Sequence, residues 1–506
     1  MPAIPVIPPT ARPHAAWRGD LRASLLCAAA ALLAGLVYVN ALHNPFVYDD
    51  YHTVVANPSL EDVANVRRII LHDVTRPVVN FSYAIDYAIW GGRPLGFHVT
   101  NVLLHMLNVI LLFRLARGLT EDRLAAFAAA SLLAVHPMMT EAVGYISGRS
   151  EVLCATFVLL ALLSGRRWMN GDGAKWAMVT VGLWGVALAT KETAAMFPFV
   201  LLACDWLTVP GSAAERRRRI ATLHLPLMAT AVIAGIGRLV VLRFEYPGQV
   251  SVHWRYVLLE LDVARRYVWL LVNPGGQTLF HEVAPIGSLF ELRALLAVGA
   301  SGLLLALAWG LRRVERIASL GIVWLLLLLV PSAVLAVLDQ GEPMAEHRVY
   351  LASCGAFLAA GAGIGRLGAR LTLGHARTAW VGAAALAMVL AAFSAETLLR
   401  NAVWADPVTL WRESVDLAPA HYRPRLLLGE ALQDAGRRDE AVEQYKIGIR
   451  LRPTELTGYV KLGLCLAEMG RLDEARQSLR EAVAVDPHDG PARRALALLE
   501  KMGPVS

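Results

Sequence analysis

Asp49 and Asp50 stand side by side in the run Asn44-Pro45-Phe46-Val47-Tyr48-Asp49-Asp50-Tyr51. Neighbouring carboxylates repel, and burial among aromatic rings disfavours charge further, so one member of such a pair acquires a raised pKa. A carboxylate tuned in that way suits proton abstraction from a hydroxyl. The same dipeptide also serves as a solvated helix cap or turn. Its company gives the chemical reading weight. Arg76-Pro77, Gly148-Arg149-Ser150-Glu151, Lys191-Glu192 and Glu346-His347-Arg348-Val349-Tyr350 each bring a cation, and Glu141 follows His136-Pro137. Arginine and lysine gathered on one side can hold a lipid-linked phosphate and stabilise its charge as it departs. Taken singly, each also reads as a snorkelling or salt-bridged residue at a helix end. His98, Asn101, His105 and Asn108 follow at offsets of three, four and three, which places four polar groups on one helix face. The two histidines lie two turns apart with no carboxylate on that face. Packing or substrate contact is therefore expected there, and no metal site.

The elements that must position these residues are membrane spans. Of 506 residues, 56% are hydrophobic and 18% charged, with a mean hydropathy of +0.48, whereas soluble proteins carry roughly 25% charged residues. Apolar runs near 23–39, 97–115, 124–140, 151–165, 174–190, 193–209, 221–242, 288–311, 317–338, 349–366 and 378–398 predict eleven spans. Arg12, Arg18 and Arg22 precede the first, which reads as an uncleaved span following a cytoplasmic tail over 1–22. Every second loop is then short and arginine-rich, including Arg114/Arg117/Arg123, Arg216 to Arg219 and Arg312/Arg313/Arg316. The positive-inside rule sets those loops in the cytoplasm and the carboxylate-bearing loops outside. The first outer loop, 40–96, carries the Asp pair and a helix over Val78 to Trp90 with Asn80 and Asp86. Residues 255–272 hold Glu260, Asp262, Arg265 and Arg266 in an apolar frame and read as an amphipathic helix at the outer interface.

A repeat closes the chain. Leu428-Gly429 returns as Leu462-Gly463, Gly436 as Gly470, and Asp439-Glu440-Ala441 as Asp473-Glu474-Ala475, while Pro419, Pro453 and Pro487 keep the same offset of 34. This is the tetratricopeptide helix-turn-helix period. Full repeats are expected at 421–454 and 455–488, with a half-repeat helix at 408–417 and a capping helix starting near 496. So short an array needs a neighbour to cover its apolar faces. The expected fold is all-α: a polytopic membrane domain over 23–400, then an α-solenoid of about two and a half repeats over 403–506, on the outer side because the span number is odd. Cys27, Cys154, Cys204, Cys354 and Cys465 form no CxxC pair, so neither a zinc site nor a disulfide framework is expected. The net charge of +7 lies in the membrane part and reports topology, which sets nucleic-acid binding aside. Walker A, Rossmann, HExxH and GxSxG motifs are missing from the sequence, so neither a soluble nucleotide donor nor ATP-driven transport is supported.

The chain resembles the transmembrane and tetratricopeptide-repeat O-mannosyltransferase family. The resemblance rests on Phe46-Val47-Tyr48-Asp49-Asp50 with Asn57-Pro58, Arg76-Pro77 with Ser82-Tyr83, and Gly96-Phe97-His98-Val99-Thr100-Asn101 with His105. It continues through His136-Pro137, Glu141, Gly148-Arg149, Lys191-Glu192 and Glu346-His347-Arg348-Val349-Tyr350. It implies a GT-C glycosyltransferase fold that passes a sugar, mannose in the animal members, from a polyprenyl phosphate to a protein hydroxyl, with no other cofactor. By matching position Asp49 or Asp50 is the base, with Asp50 slightly favoured. Arg149, Lys191 and Arg348 are the candidate phosphate contacts, and Arg76, His98, Asn101, His105, Glu141, Glu192, Glu346, His347 and Tyr350 are further candidates for the substrate site. The family's animal members carry many more repeats, which leaves the acceptor open between protein and glycan and leaves room for a protein partner on the repeats. Five Lys against 43 Arg suggest a GC-rich bacterial genome, hence an inner-membrane protein with a periplasmic repeat domain and an undecaprenyl or decaprenyl carrier. Two other classes stand beside this one. A scaffold would use the spans only as anchor, and a transporter of lipid-linked sugar would need polar residues through the full depth of the membrane.

Overall fold

Prolines and side-chain caps set where the helices begin. Pro77, Pro94 and Pro407 each occupy a first helical turn, where a missing N–H costs nothing. Asp122 accepts from the backbone N–H groups of Leu124 and Ala125, and Asp406 from those of Val408 and Thr409. The computed structural model describes residues 20–245, 254–330, 342–374 and 376–501. Every regular element among them is helical.

Among the described residues seven helices are long and apolar enough to cross a membrane: Leu21–His43, Pro94–Thr120, Ile146–Met169, Ala213–Val241, Leu292–Leu311, Glu346–Arg370 and Trp380–Val403. The span expected at 124–140 is broken, with Arg123–Val135 and Pro137–Val143 meeting at 57°. Pro137 cannot continue the helix, and His136 takes over as cap by accepting from Met138 N–H at 3.2 Å. The runs expected at 174–190 and 193–209 form helices of 14 and 12 residues, Lys175–Leu188 and Phe197–Thr208. Arg316–Leu329 supplies the described part of the run at 317–338, whose remainder from 331 lies outside the described residues. Residues 255–272 form the 17-residue helix Trp254–Leu270, which falls short of a span and buries Asp262 against Arg265, Arg266 and Arg293.

Glycine lets two of the membrane helices touch. A Cβ on Gly321 would lie 2.3 Å from the Gly355 carbonyl oxygen, so helices Arg316–Leu329 and Tyr350–Gly374 meet backbone to backbone. The last membrane helix, Ala376–Val403, is tied to the first by Asn401, whose side chain donates to the Val37 carbonyl at 2.9 Å. Beyond it come the half-repeat helix Pro407–Leu417, two full repeats (Tyr422–Asp434 with Arg438–Leu451, and Leu456–Glu468 with Leu472–Val485) and the cap Gly490–Lys501. One apolar cluster runs from the repeats into the membrane domain and joins Trp404, Trp411 and Tyr422 to Val47, Tyr145, Leu279 and Phe280. The repeats thus sit directly on the loop that carries the Asp pair.

Candidate active site

The two carboxylates of the pair have different surroundings. Asp50 is fully buried; it accepts from Ser147 N–H at 2.8 Å, Ser147 hydroxyl at 2.6 Å and Val47 N–H at 3.1 Å. Burial pushes its carboxyl up to about 7 against those three donors, and the neighbouring Asp49 charge adds to the rise. Asp49 is exposed, and its N–H donates to the Tyr145 hydroxyl at 3.0 Å. Desolvation raises its carboxyl above the ordinary range, opposed by Tyr145 and by His347, His52 and Arg76, which lie within electrostatic reach. Asp49 is therefore the accessible carboxylate of the pair, and Asp50 is held in the loop by its three donors. Ser147 and Tyr145 were not singled out from sequence. Their signal was the adjacent Gly148: a Cβ there would fall 2.5 Å from the Glu141 carbonyl oxygen, so the tight turn that delivers Ser147 requires glycine.

A ring of charge surrounds Asp49. Arg76 pairs with Glu192 at 3.2 Å, and both are partly exposed. Burial raises the Glu192 carboxyl, but Arg76 and Lys191 outweigh it and hold the group low. Lys191 is buried, paired with Glu151 at 2.8 Å and bonded to Ser150 at 3.2 Å. His347 meets Glu141 at 2.6 Å. Glu346 accepts from Gln277, Thr278 N–H and His281 at 3.0, 2.8 and 2.9 Å. Arg348 is half-buried and donates to the Glu342 carbonyl at 2.8 Å, its one hydrogen bond among the described residues. Asp49, Arg76, Glu192, His347 and Arg348 thus form the accessible group.

The other expected residues serve the interior. Arg149 is completely buried: it pairs with Asp86 at 2.5 Å, donates to Asn101 at 2.7 Å and the Phe97 carbonyl at 2.8 Å, and lies over the Tyr83 ring. That geometry makes it a brace and leaves no face for a phosphate. His98 bonds the Asn44 carbonyl at 3.1 Å, and Asn101 donates to the carbonyls of Tyr145 and Ile146. His105 and Asn108 both reach the Tyr350 hydroxyl, at 2.7 and 3.2 Å. The polar stripe of helix Pro94–Thr120 is a hydrogen-bonded seam under the site. Among the described residues no group of His, Cys, Asp or Glu is arranged to hold a metal ion.

Fold and site together define an integral membrane protein in which tetratricopeptide repeats cover a cluster of carboxylates and cations. Residues 74–237 match the family described as dolichyl-phosphate-mannose-protein mannosyltransferase, and residues 457–489 match the tetratricopeptide repeat. The protein O-mannosyl-transferase Tmtc1 of Drosophila melanogaster is 26% identical over 83% of this chain and 61% of its own length. The human protein O-mannosyl-transferase TMTC1 is also 26% identical, over 84% of this chain and 55% of its own. The chain is thus similar to these protein O-mannosyl-transferases and spans little more than half the length of these curated relatives. Among solved structures, ArnT from Cupriavidus metallidurans aligns with 91% of this chain and 80% of its own at 14% identity and a TM-score of 0.39, too loose a likeness to carry a conclusion.

Proposed function

We propose that the protein is a membrane glycosyltransferase of GT-C type. It moves mannose or another hexose from a polyprenyl phosphate to a hydroxyl, that of Ser or Thr in an acceptor protein, at the outer face of the membrane. Asp49 takes the proton of the acceptor hydroxyl while that oxygen attacks the anomeric carbon. The bond from that carbon to the phosphate oxygen breaks, its electron pair leaves with the polyprenyl phosphate, and the sugar is inverted. Arg348 and Arg76 receive the departing charge, and the paired Lys191 adds to the positive field behind them. Asp50 anchors the loop through Ser147 and Val47. Orientation of the two substrates contributes much of the rate.

The observation that carries this reading is the exposed Asp49 carboxylate, within electrostatic reach of Arg76 and in no ion pair among the described residues. The activity in the relatives' names and the match to the mannosyltransferase family support it. The repeats are read as the acceptor's entrance, since the exposed Tyr51 ring lies within electrostatic reach of Glu430 and Asp434 on the first full repeat. The alternation of basic loops and the Arg-rich composition support a bacterial inner membrane with the repeats in the periplasm and undecaprenyl or decaprenyl phosphate as carrier. Mass spectrometry of exported proteins from cells with wild-type protein, Asp49→Asn or no protein tests the proposal. Hexose-bearing Ser/Thr peptides seen only with wild type are expected. An unchanged peptide map with all three sinks the protein-acceptor form.

A further inference from the structure

Tyr48, next to Asp49, has φ = 50°, in the left-handed region that side-chain-bearing residues avoid. That conformation is strained and persists only where surrounding contacts enforce it. Here they come from the far end of the chain. The Tyr48 ring packs edge-on against Trp411 of the half-repeat helix at 5.8 Å and against Phe280 at 5.7 Å. Its hydroxyl lies 3.4 Å from the Glu342 carboxylate, which pairs with Arg423 of the first full repeat at 3.0 Å. Phe280 in turn packs on His421 at 5.3 Å, and Thr278 bonds Ser414 at 3.3 Å. The second hold on Asp49 has the same backing: Tyr145, whose hydroxyl accepts the Asp49 N–H, rests on Trp404 at 5.4 Å.

We propose that the tetratricopeptide unit is part of the catalytic machinery: Trp404, Trp411 and Arg423 hold Tyr48 and Tyr145, and through them aim the Asp49 carboxylate at the acceptor. Tyr48 is the positioning residue of this device. The repeats therefore do more than tether an acceptor, because undocking them lets the peptide at Tyr48 relax out of its left-handed conformation and turn Asp49 away. This rests on the reading of Asp49 as the base.

The test uses the full-length protein in membranes. Two readouts are taken for Tyr48→Ala, Tyr48→Phe, Arg423→Glu, Arg423→Lys and Asp49→Asn: hexose transfer to exported proteins, and hydrogen–deuterium exchange of peptides covering 46–55 and 94–120. Tyr48→Ala and Arg423→Glu are expected to lower transfer by about tenfold or more, since misplacing a catalytic group by an ångström costs up to about a hundredfold. They are also expected to speed exchange in 46–55 and leave 94–120 unchanged. Tyr48→Phe keeps both ring contacts and Arg423→Lys keeps the charge, so both should retain transfer within about threefold. Accelerated exchange in both peptides would mean general unfolding and overturn the positioning role. If Asp49→Asn abolishes transfer while Tyr48→Ala and Arg423→Glu match wild type, the inference falls and the glycosyltransferase reading stands. If Asp49→Asn itself transfers normally, that reading falls, and exchange in 46–55 unmoved by Arg423→Glu would remove the structural coupling as well.

Discussion

Asp50→Asn separates the anchor from the base. Asn fits the Asp50 site with its carbonyl oxygen toward Ser147, where it keeps the bonds now made at 2.8 and 2.6 Å. Its amide nitrogen then faces the Val47 N–H, donor against donor, in place of the 3.1 Å bond. One buried donor left unmet costs about 1–3 kcal/mol, enough to lower the melting temperature of the loop without unfolding the domain. Burial holds the Asp50 carboxyl up to about 7, so in wild type it is already protonated through the acid range. Asn there replaces a neutral acid by a neutral amide, and Asp49 loses no neighbouring charge over that range. Activity that needs Asp49 ionised begins, in wild type, above the ordinary carboxylate range because desolvation raises that group. In Asp50→Asn the acid limb of the pH–rate profile should therefore stay within about half a unit of wild type. Turnover should fall by no more than about tenfold, against a loss of about 10²–10⁴ for Asp49→Asn as expected when a general base is removed. The assay is the pH dependence of sugar transfer in detergent or nanodiscs, with a melting curve for each variant. An Asp50→Asn protein with a wild-type melting curve and the larger loss would make Asp50 the base and refute the assignment.

Arg149→Met leaves Asp86 buried without its 2.5 Å partner, so it should destabilise the membrane domain by about 3–5 kcal/mol and show as poor yield or early melting rather than altered donor affinity. Gly148→Ala forces a Cβ to within 2.5 Å of the Glu141 carbonyl oxygen, so the turn must shift, Ser147 must leave Asp50, and stability should drop by about 1–3 kcal/mol with activity falling further. Arg348→Gln keeps a donor for the Glu342 carbonyl but removes the charge, so it should fold normally and lose turnover by about tenfold to a thousandfold, measured as initial transfer rates at saturating donor.

Much of this architecture was legible because its signals are local. The 34-residue period of the repeats, Pro at the starts of helices 77–90 and 94–120, and the polar stripe from His98 to Asn108 each reflect contacts within a turn or two of helix. The Asp pair stood out for the same reason. Arg149 shows where that kind of reading stops: residue type announces a cation, but only the fold shows that Asp86, Asn101 and Phe97 consume it. The break at His136-Pro137 was present in the sequence, yet the apolar run continues across it and hydropathy does not register a 57° bend. Tyr48 and Arg423 gave no local hint at all, because Glu342 joins residues hundreds of positions apart.

The cost of burying charge explains which residues remain available for chemistry. A charge taken out of water must be paired or neutralised. Arg149 is matched by Asp86, Lys191 by Glu151, Glu141 by His347, and Glu346 by Gln277, Thr278 and His281. Each pair consumes a residue that, judged by type alone, was a candidate to bind substrate. What remains is Asp49, in no ion pair among the described residues, and Arg348, bound only to a backbone carbonyl among them. Asp49 is partly desolvated and Arg348 half-buried, so their charges are only partly compensated when no substrate is bound. A phosphate and a hydroxyl bound beside them would supply the partners they lack: a leaving anion for Arg348 and a proton for Asp49. The buried pairs then act as the rigid frame that keeps both groups from collapsing onto one another, which is the preorganisation an electrostatic active site needs.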